Sequence, residues 1–242
     1  HLDGQLYTEL VEGELMDTET ESEHIKRKEK CSSEVKSIVT FLSVNGILDD
    51  NKVKNILLGK VPDLEKAMVA IGPIESIEIQ KEFERVYTNF SNRKFGYQWA
   101  EKLGVTVCSY CNRSYIFTVK KDARNGKVRP QYDHFFPKSI YPYLAVSMYN
   151  LIPSCAVCNS GKSDKDSFKN QKVQYLNPYV EGYGTKTFLQ ITPKKKKDRI
   201  RGCVGLAEEY TVKPKSASDV DKDAAKRIQD TWDLLKLGPL YE

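Results

Sequence analysis

Apolar residues recur at three- and four-residue intervals along residues 24–104, the period of helices buried on one face. The spacing predicts helices over Glu34–Leu42, Asp49–Leu58 and Leu64–Ile71, a longer one from Ile74 to Phe90, and another over Phe95–Leu103. Gly46, Gly59-Lys-Val-Pro62, Gly72-Pro73 and Gly104 separate them, and Ser32 and Asp63 stand where N-caps are wanted. At Val105 the texture changes. Tyr115-Ile-Phe-Thr-Val119 is a β-branched and aromatic run and Val128–His134 a second, joined by a link containing Asn125-Gly126, a favoured hairpin turn. Further strands are expected at Thr187–Thr192 and Glu209–Lys213. A helix is expected from Ser218 to Leu237, with Val220, Ala224, Ile228, Trp232 and Leu235 as its core-facing stripe. The organisation that follows is an acidic leader (residues 1–23), a helical region (24–104), a mixed module (105–185) and a strand–helix extension (186–242), an α+β chain.

Composition limits the function classes. Of 242 residues, 40% are hydrophobic and 29% charged, enough for one large or two small domains with a core. No apolar run approaches the roughly 20 residues of a membrane span, and no cationic start precedes an apolar stretch as in a secretion signal. No membrane partner is expected, and the setting that fits is the cytoplasm. The chain opens on His1 rather than Met, so the native termini are expected to lie outside it.

Charge is uneven. Residues 1–23 hold eight acids and no Lys or Arg, so the 38 basic residues face only 25 acids in the remainder, which carries +13. A basic body with an acidic leader suits nucleic acid better than a membrane, although a solvated surface explains the same number. Lys194–Lys197 with Arg199 and Arg201 form a basic block between elements.

Six cysteines say more. Cys108-Ser-Tyr-Cys111 and Cys155-Ala-Val-Cys158 are two identical knuckles, and Cys31 and Cys203 are left over. The two-residue gap lets both sulfurs of a turn face one ion, so paired knuckles suit a tetrahedral zinc cage. Two redox-active pairs or disulfides are the competing reading. The 43 residues between Cys111 and Cys155 exceed the usual ribbon spacing of roughly 15–20, so folded structure is expected between the knuckles.

There lies Tyr132-Asp-His-Phe-Phe-Pro-Lys-Ser139, followed by Asn150 in Tyr149-Asn-Leu-Ile-Pro153 and by Asn159 directly after Cys158. One imidazole beside a carboxylate, followed by two asparagines, is the equipment of a one-metal phosphodiesterase. Asp133 and Asn159 offer hard oxygens suited to Mg²⁺ or Mn²⁺, and His134 can deprotonate water near neutral pH. Asp133 and His134 are expected to end a strand, Leu151-Ile152 to form a second, and Pro153-Ser-Cys155 to start a helix presenting Asn159.

Asp-His-x-x-Pro-Lys-Ser followed by Tyr-Asn-Leu-Ile-Pro-Ser-Cys-x-x-Cys-Asn-Ser-x-Lys resembles a zinc-containing HNH (ββα-metal) endonuclease. Asn177-Pro-Tyr-x-Glu-Gly further resembles bacterial members that accompany ABC/SMC-like ATPases in Septu and retron anti-phage systems. The resemblance covers residues 105–184, about a third of the chain. It implies a ββα-metal core framed by a four-cysteine zinc site and an activity that hydrolyses phosphodiester bonds, in DNA with RNA not excluded. It makes His134 the general base and Asp133 and Asn159 the ligands of a catalytic Mg²⁺ or Mn²⁺. Asn150 would hold the loop that orients the histidine, and Cys108, Cys111, Cys155 and Cys158 would hold structural Zn²⁺. Asn159 stands where the family name has its last histidine.

Lys138 and Lys162 are candidate phosphate contacts, as are Lys120, Lys121, Arg124, Lys127 and Arg129 on the expected hairpin; a solvated surface explains each equally well. Tyr132, Phe135, Phe136, Tyr141 and Tyr143 read as packing rather than base-stacking residues. Two further expectations are an acidic leader lying over the basic cleft, against a disordered one, and a helical region that docks an ATPase partner. A non-catalytic zinc module that binds nucleic acid or protein is the rival of the nuclease reading.

Overall fold

A computed structural model of the chain describes residues 20–92, 94–119, 128–194 and 210–241. It divides into two compact units, His1–Gly104 with Asp133–Leu151, and Val105–Tyr132 with Ile152–Glu242. The chain thus passes into the second unit, returns to the first over Asp133–Leu151, and leaves again.

The first unit opens with helix α1 (Glu21–Leu42), started by a capping box in which Thr20 and Glu23 each accept from the other's backbone N–H, at 3.3 and 2.9 Å. This start lies upstream of the expected one. Ser32 is interior to α1 rather than its cap, because Thr20-x-x-Glu23 supplies a complete cap earlier and Cys31, Val35 and Ile38 already form its buried stripe. Glu21 and Glu23 of the acidic stretch are therefore helical, and acids suit a helix N-terminus; residues 1–19 lie outside the described residues.

A small hairpin, β1 (Ser43–Val44) with β2 (Ile47–Leu48), follows, turned by Asn45 (φ 52°) and Gly46 (φ 80°), the left-handed pair that a two-residue hairpin loop requires. Helix α2 (Asp50–Leu58) is capped by the Asp49 carboxylate on Lys52 N at 2.8 Å. Helix α3 (Val61–Ile71) has Lys60 at its cap and Pro62 in its first turn, so it begins before Asp63, the expected cap. Proline's fixed φ and missing N–H suit that first turn. Helices α4 (Ile77–Asn92) and α5 (Lys94–Leu103) complete the region.

Leu64, Ala67, Met68 and Ile71 of α3 are buried with Ile74 and Ile79, each large aliphatic contributing about 1.5–3 kcal/mol. The returning segment joins this core through Phe135, Phe136, Tyr141, Tyr143 and Leu144, all 4% exposed or less. It is held by backbone as well: Ile74 N donates to Ile140 O (2.9 Å), Tyr143 Oη to Gly72 O (2.9 Å), and Gln80 Nε2 to both Ile74 O and Ser139 O. These aromatic rings are core, not surface.

The second unit begins with extended chain. Val119 and Val128 exchange two backbone hydrogen bonds (2.8 and 3.3 Å) as an antiparallel bridge, so the two runs pair where a hairpin was expected; its turn, residues 120–127, lies outside the described residues. Strand β3 (Gln131–His134) pairs with β4 (Leu151–Ser154), and helix α6 (Ala156–Lys162) follows β4 at once. A short hairpin, β5 (Phe168–Lys169) with β6 (Lys172–Val173), precedes the longer antiparallel pair β7 (Thr187–Pro193) and β8 (Tyr210–Ser216), in register Thr187 opposite Ser216.

Helix α7 (Lys222–Leu234) starts four residues later than expected because the Asp221 carboxylate caps Ala224 N at 2.9 Å. Lys236, at φ 52°, breaks it before the short α8 (Leu237–Tyr241). Ile228, Trp232 and Leu235 are buried, whereas Val220 and Ala224 are half-buried. Helices beside small two-stranded sheets make the chain α+β. No helix among the described residues is long and apolar enough to cross a membrane. Most of the basic block after Lys194, and Cys203, lie outside the described residues.

Candidate functional site

In the second unit, the first knuckle sits on a narrow loop. Cys108 N donates to Ser114 O (2.8 Å) and Ile116 N to Thr106 O (2.9 Å), closing its base, while Asn112 N donates to Cys108 O (2.9 Å). Asn112 takes a left-handed φ of 50°, which asparagine tolerates better than most residues. The second knuckle straddles the start of α6: Cys155 is the cap residue, and its Sγ accepts from Cys158 N at 3.5 Å. Cys155 N donates to Cys108 Sγ at 3.3 Å, which ties one knuckle to the other.

The four sulfurs lie within 4.8 Å of one another. Cys108, Cys111 and Cys158 are buried and Cys155 is half-buried, and none of the four is in a disulfide. Tetrahedral zinc with bonds of about 2.3 Å requires sulfurs about 3.8 Å apart. A four-sulfur convergence also speaks against two separate redox pairs, which have no reason to share one centre. The cluster therefore fits a metal such as zinc in a closed, structural sphere.

Electrostatics agree with a thiolate centre. The Cys158 thiol donates to Cys108 and, against the cost of burial, holds Cys108 down at about 4; the N–H groups of Cys111, Cys155 and Tyr110 act in the same direction. Cys158 is pushed up, first by that same hydrogen bond, then by burial and the neighbouring sulfurs. The end of the chain braces the knuckle: Tyr241 Oη donates to Cys111 O, and its ring stacks on Trp232 at 5.5 Å. Sequence reading missed Tyr241, since a lone tyrosine 130 positions from Cys111 carries no motif.

In the first unit, His134 ends β3 and is 8% exposed. Its Nε2 lies 2.9 Å from Ala145 O. A carbonyl can only accept, so Nε2 carries the proton and Nδ1 the lone pair of the neutral ring. Tyr87 of α4 packs its ring against the imidazole at 4.5 Å and 68°. Asn150 is fully buried and uses its whole amide on backbone: Oδ1 accepts from Phe136 N (2.7 Å), and Nδ2 donates to Phe136 O (3.0 Å) and Leu144 O (3.1 Å). Phe135 N adds a bond to Asn150 O at 3.0 Å. Both ends of the 135–149 loop are thereby closed beside the carbonyl that orients the histidine. Neither Ala145 nor Tyr87 was legible beforehand, one acting through backbone and the other from a distant helix.

Asp133 is 2% exposed. Asn159, in the second unit on α6, is half-buried, and its Nδ2 donates to Gln131 Oε1 at 2.8 Å. Gln131 stands two residues before Asp133 on β3, hence on the same strand face. That period-two relation is the signal by which Gln131 was detectable. Among the described residues, the cysteine cluster is the only convergence of three or more His, Cys, Asp or Glu donors.

The candidate phosphate contacts fare differently. Lys138 pairs with Glu84 and lies 5.3 Å from the Tyr87 ring. Lys162 is 1% exposed, so its ammonium is not presented to solvent. Arg129 donates to Pro130 O and covers the Tyr132 ring at 4.9 Å. Lys120, Lys121, Arg124 and Lys127 lie outside the described residues.

No family model matches the chain, and no solved structure matches it. Two local similarities stand out. A stretch of 49 residues, 20% of the chain, is 45% identical to Septu protein PtuB of Bacillus thuringiensis, of which it covers 18%. A stretch of the same length is 37% identical to protein ea31 of Escherichia phage lambda, of which it covers 17%. The matched stretch spans less than a fifth of either relative.

Proposed function

We propose that this protein is a metal-dependent HNH endonuclease that hydrolyses phosphodiester bonds in nucleic acid, with DNA as the favoured substrate, and that it serves an anti-phage defence system. The observation that carries the reading is the histidine corner, an imidazole whose Nε2 proton is fixed on Ala145 O beside a loop closed by Asn150. The motif resemblance and the local similarity to a Septu protein support it.

His134 Nδ1 takes a proton from the attacking water as its oxygen bonds to phosphorus; the P–O3′ bond breaks, and the departing oxygen gains a proton to leave a 3′-hydroxyl opposite a 5′-phosphate. Asp133 and Asn159 supply the hard oxygens that would hold Mg²⁺ or Mn²⁺. That ion's chemistry is to stabilise charge on the phosphate and the leaving oxygen. Asn150 and Ala145 O keep the imidazole in one tautomer and one orientation. Zinc held by Cys108, Cys111, Cys155 and Cys158 would supply rigidity to a module with little core of its own. An ABC/SMC-like ATPase that docks on the helical region belongs to the same proposal.

A plasmid assay in Mg²⁺ or Mn²⁺ tests the reading: wild type cleaves and His134→Ala does not. Equal cleavage by both rejects His134 as the base. The rival, a non-catalytic zinc module, is favoured by one observation, that the cysteines are the only convergent donor set of that kind among the described residues. Tight nucleic-acid binding without cleavage in any divalent ion would decide for it.

A further inference from the structure

Surface strands ordinarily turn polar residues outward; the extended segment beside the first knuckle does the reverse. Tyr115 and Phe117, alternate residues on one face, are 73% and 52% exposed, and their rings lie parallel at 5.4 Å and 9°. Val119, next on that face, is 38% exposed, and Val128, its antiparallel bridge partner, 57%. The opposite face holds Ile116, 6% exposed. Single exposed apolar residues need no explanation, but a contiguous aromatic and aliphatic face does.

The charge around that face names its occupant. The described residues of this segment, 105–119 and 128–132, hold Arg113 and Arg129 and no acid. Flat π-faces among unbalanced cations match single-stranded nucleic acid, whose unpaired bases stack while its phosphates meet the cations. A duplex, with its bases already stacked on each other, offers the rings nothing comparable.

We infer that Tyr115 and Phe117 form a stacking platform for unpaired bases, so that the nucleic acid this protein engages carries a single-stranded stretch. The inference rests on the nucleic-acid reading above and specifies its substrate. It does not depend on His134 or on any catalytic ion.

The test measures binding by fluorescence anisotropy with labelled oligo(dT) and with a duplex of equal length, using the full chain carrying His134→Ala so that no cleavage intervenes. The His134→Ala chain binds the single strand more tightly than the duplex. Adding Tyr115→Ala and Phe117→Ala weakens strand binding by about 5- to 150-fold per base stacked, leaves duplex binding in place, and does so equally at low and high salt. The exchange Tyr115→Phe with Phe117→Tyr keeps the affinity, whereas leucine at both positions loses it, which separates stacking from mere apolar area. Zinc content and circular dichroism confirm that each variant is folded. Unchanged strand binding in the double alanine variant, full binding with leucine, or no binding of either probe by the parent chain overturns the inference. So does loss of self-association with unchanged strand binding, which would assign the rings to a protein interface. If the parent chain without His134→Ala binds strands through these rings yet never cleaves, the nuclease reading fails and this inference stands. If it cleaves, and the double alanine variant cleaves single strands equally well, the reverse holds.

Discussion

Asn150 grips Phe136 from both sides of one residue: Oδ1 accepts from Phe136 N at 2.7 Å and Nδ2 donates to Phe136 O at 3.0 Å. The same amide reaches Leu144 O at 3.1 Å, so one side chain spans the loop that carries the histidine's acceptor. Asn150→Ala leaves a buried N–H and two carbonyls without these partners, at about 1–3 kcal/mol each and less than additive. We expect a total of about 3 kcal/mol, a melting temperature lower by on the order of 10 °C for a chain of this size. Asn150→Asp keeps the acceptor but sets a carboxylate against two carbonyls, and should be no better. Calorimetry decides; a shift within about 2 °C for both variants would mean that the loop is held by other contacts.

The cysteine cluster predicts one zinc per chain by elemental analysis. Metal binding displaces thiol protons, so affinity falls as pH falls. Cys108, held down near 4, keeps its thiolate through the mildly acidic range, while Cys158, pushed up, must lose its proton to solvent as the metal binds. Zinc release, followed with a chromophoric chelator, should therefore increase steadily on acidification. Replacing Cys108 with serine should abolish stoichiometric zinc and destabilise the surrounding unit. Full zinc content in that variant would refute the shared site.

Legibility followed locality. The two knuckles, the strand ending in Asp133 and His134, and the helix opening at Cys155 are all local patterns, with neighbours in sequence fixing neighbours in space. The contacts that finish the histidine corner are not local: Ala145 acts through a carbonyl that any residue possesses, and Tyr87 arrives from a helix 47 positions away in sequence. Tyr241 reaches Cys111 across 130 positions. Helix starts failed for a different reason. Ser32 and Asp63 are competent caps, but Thr20 with Glu23 and the turn at Lys60-Val-Pro62 supplied starts further upstream, and the chain used those.

Acid should weaken the helical unit through Glu78. Burial favours its neutral form, but its own backbone N–H, the Ser76 hydroxyl and Arg27 together outweigh that and hold the carboxyl below its usual 4.5. A depressed folded value means the charged form stabilises the fold at and above the unfolded value, and this contribution disappears as pH falls through the folded one. Arg27 and Glu78 side chains keep 19% and 20% exposure, so the pair contributes about 1 kcal/mol rather than the larger figure of a fully buried one. Urea midpoints of wild type and Glu78→Gln should differ at pH 7 and converge progressively as the pH falls below the usual carboxyl value of 4.5. A gap that persists undiminished into acid would show that the glutamine acts through packing rather than charge.

Gln131 offers a way to disturb the proposed catalytic ion without touching its proposed ligands. Its Oε1 accepts from Asn159 Nδ2 at 2.8 Å, which fixes the amide's rotation and so the direction of Asn159 Oδ1. Hard divalent ions are sensitive to the placement of their oxygen donors, Mg²⁺ more than Mn²⁺ because it demands a stricter octahedron. Supporting hydrogen bonds around metal ligands typically contribute about 10- to 100-fold in affinity or activity. Gln131→Ala should therefore raise the Mg²⁺ concentration needed for half-maximal cleavage by about tenfold, with a smaller rise for Mn²⁺ and recovery of rate at saturating metal. Zinc content should stay at the wild-type level, because the four cysteines do not use this contact. If cleavage falls equally at every metal concentration, Gln131 acts on substrate or fold instead, and Asn159 loses its support as a ligand of the ion.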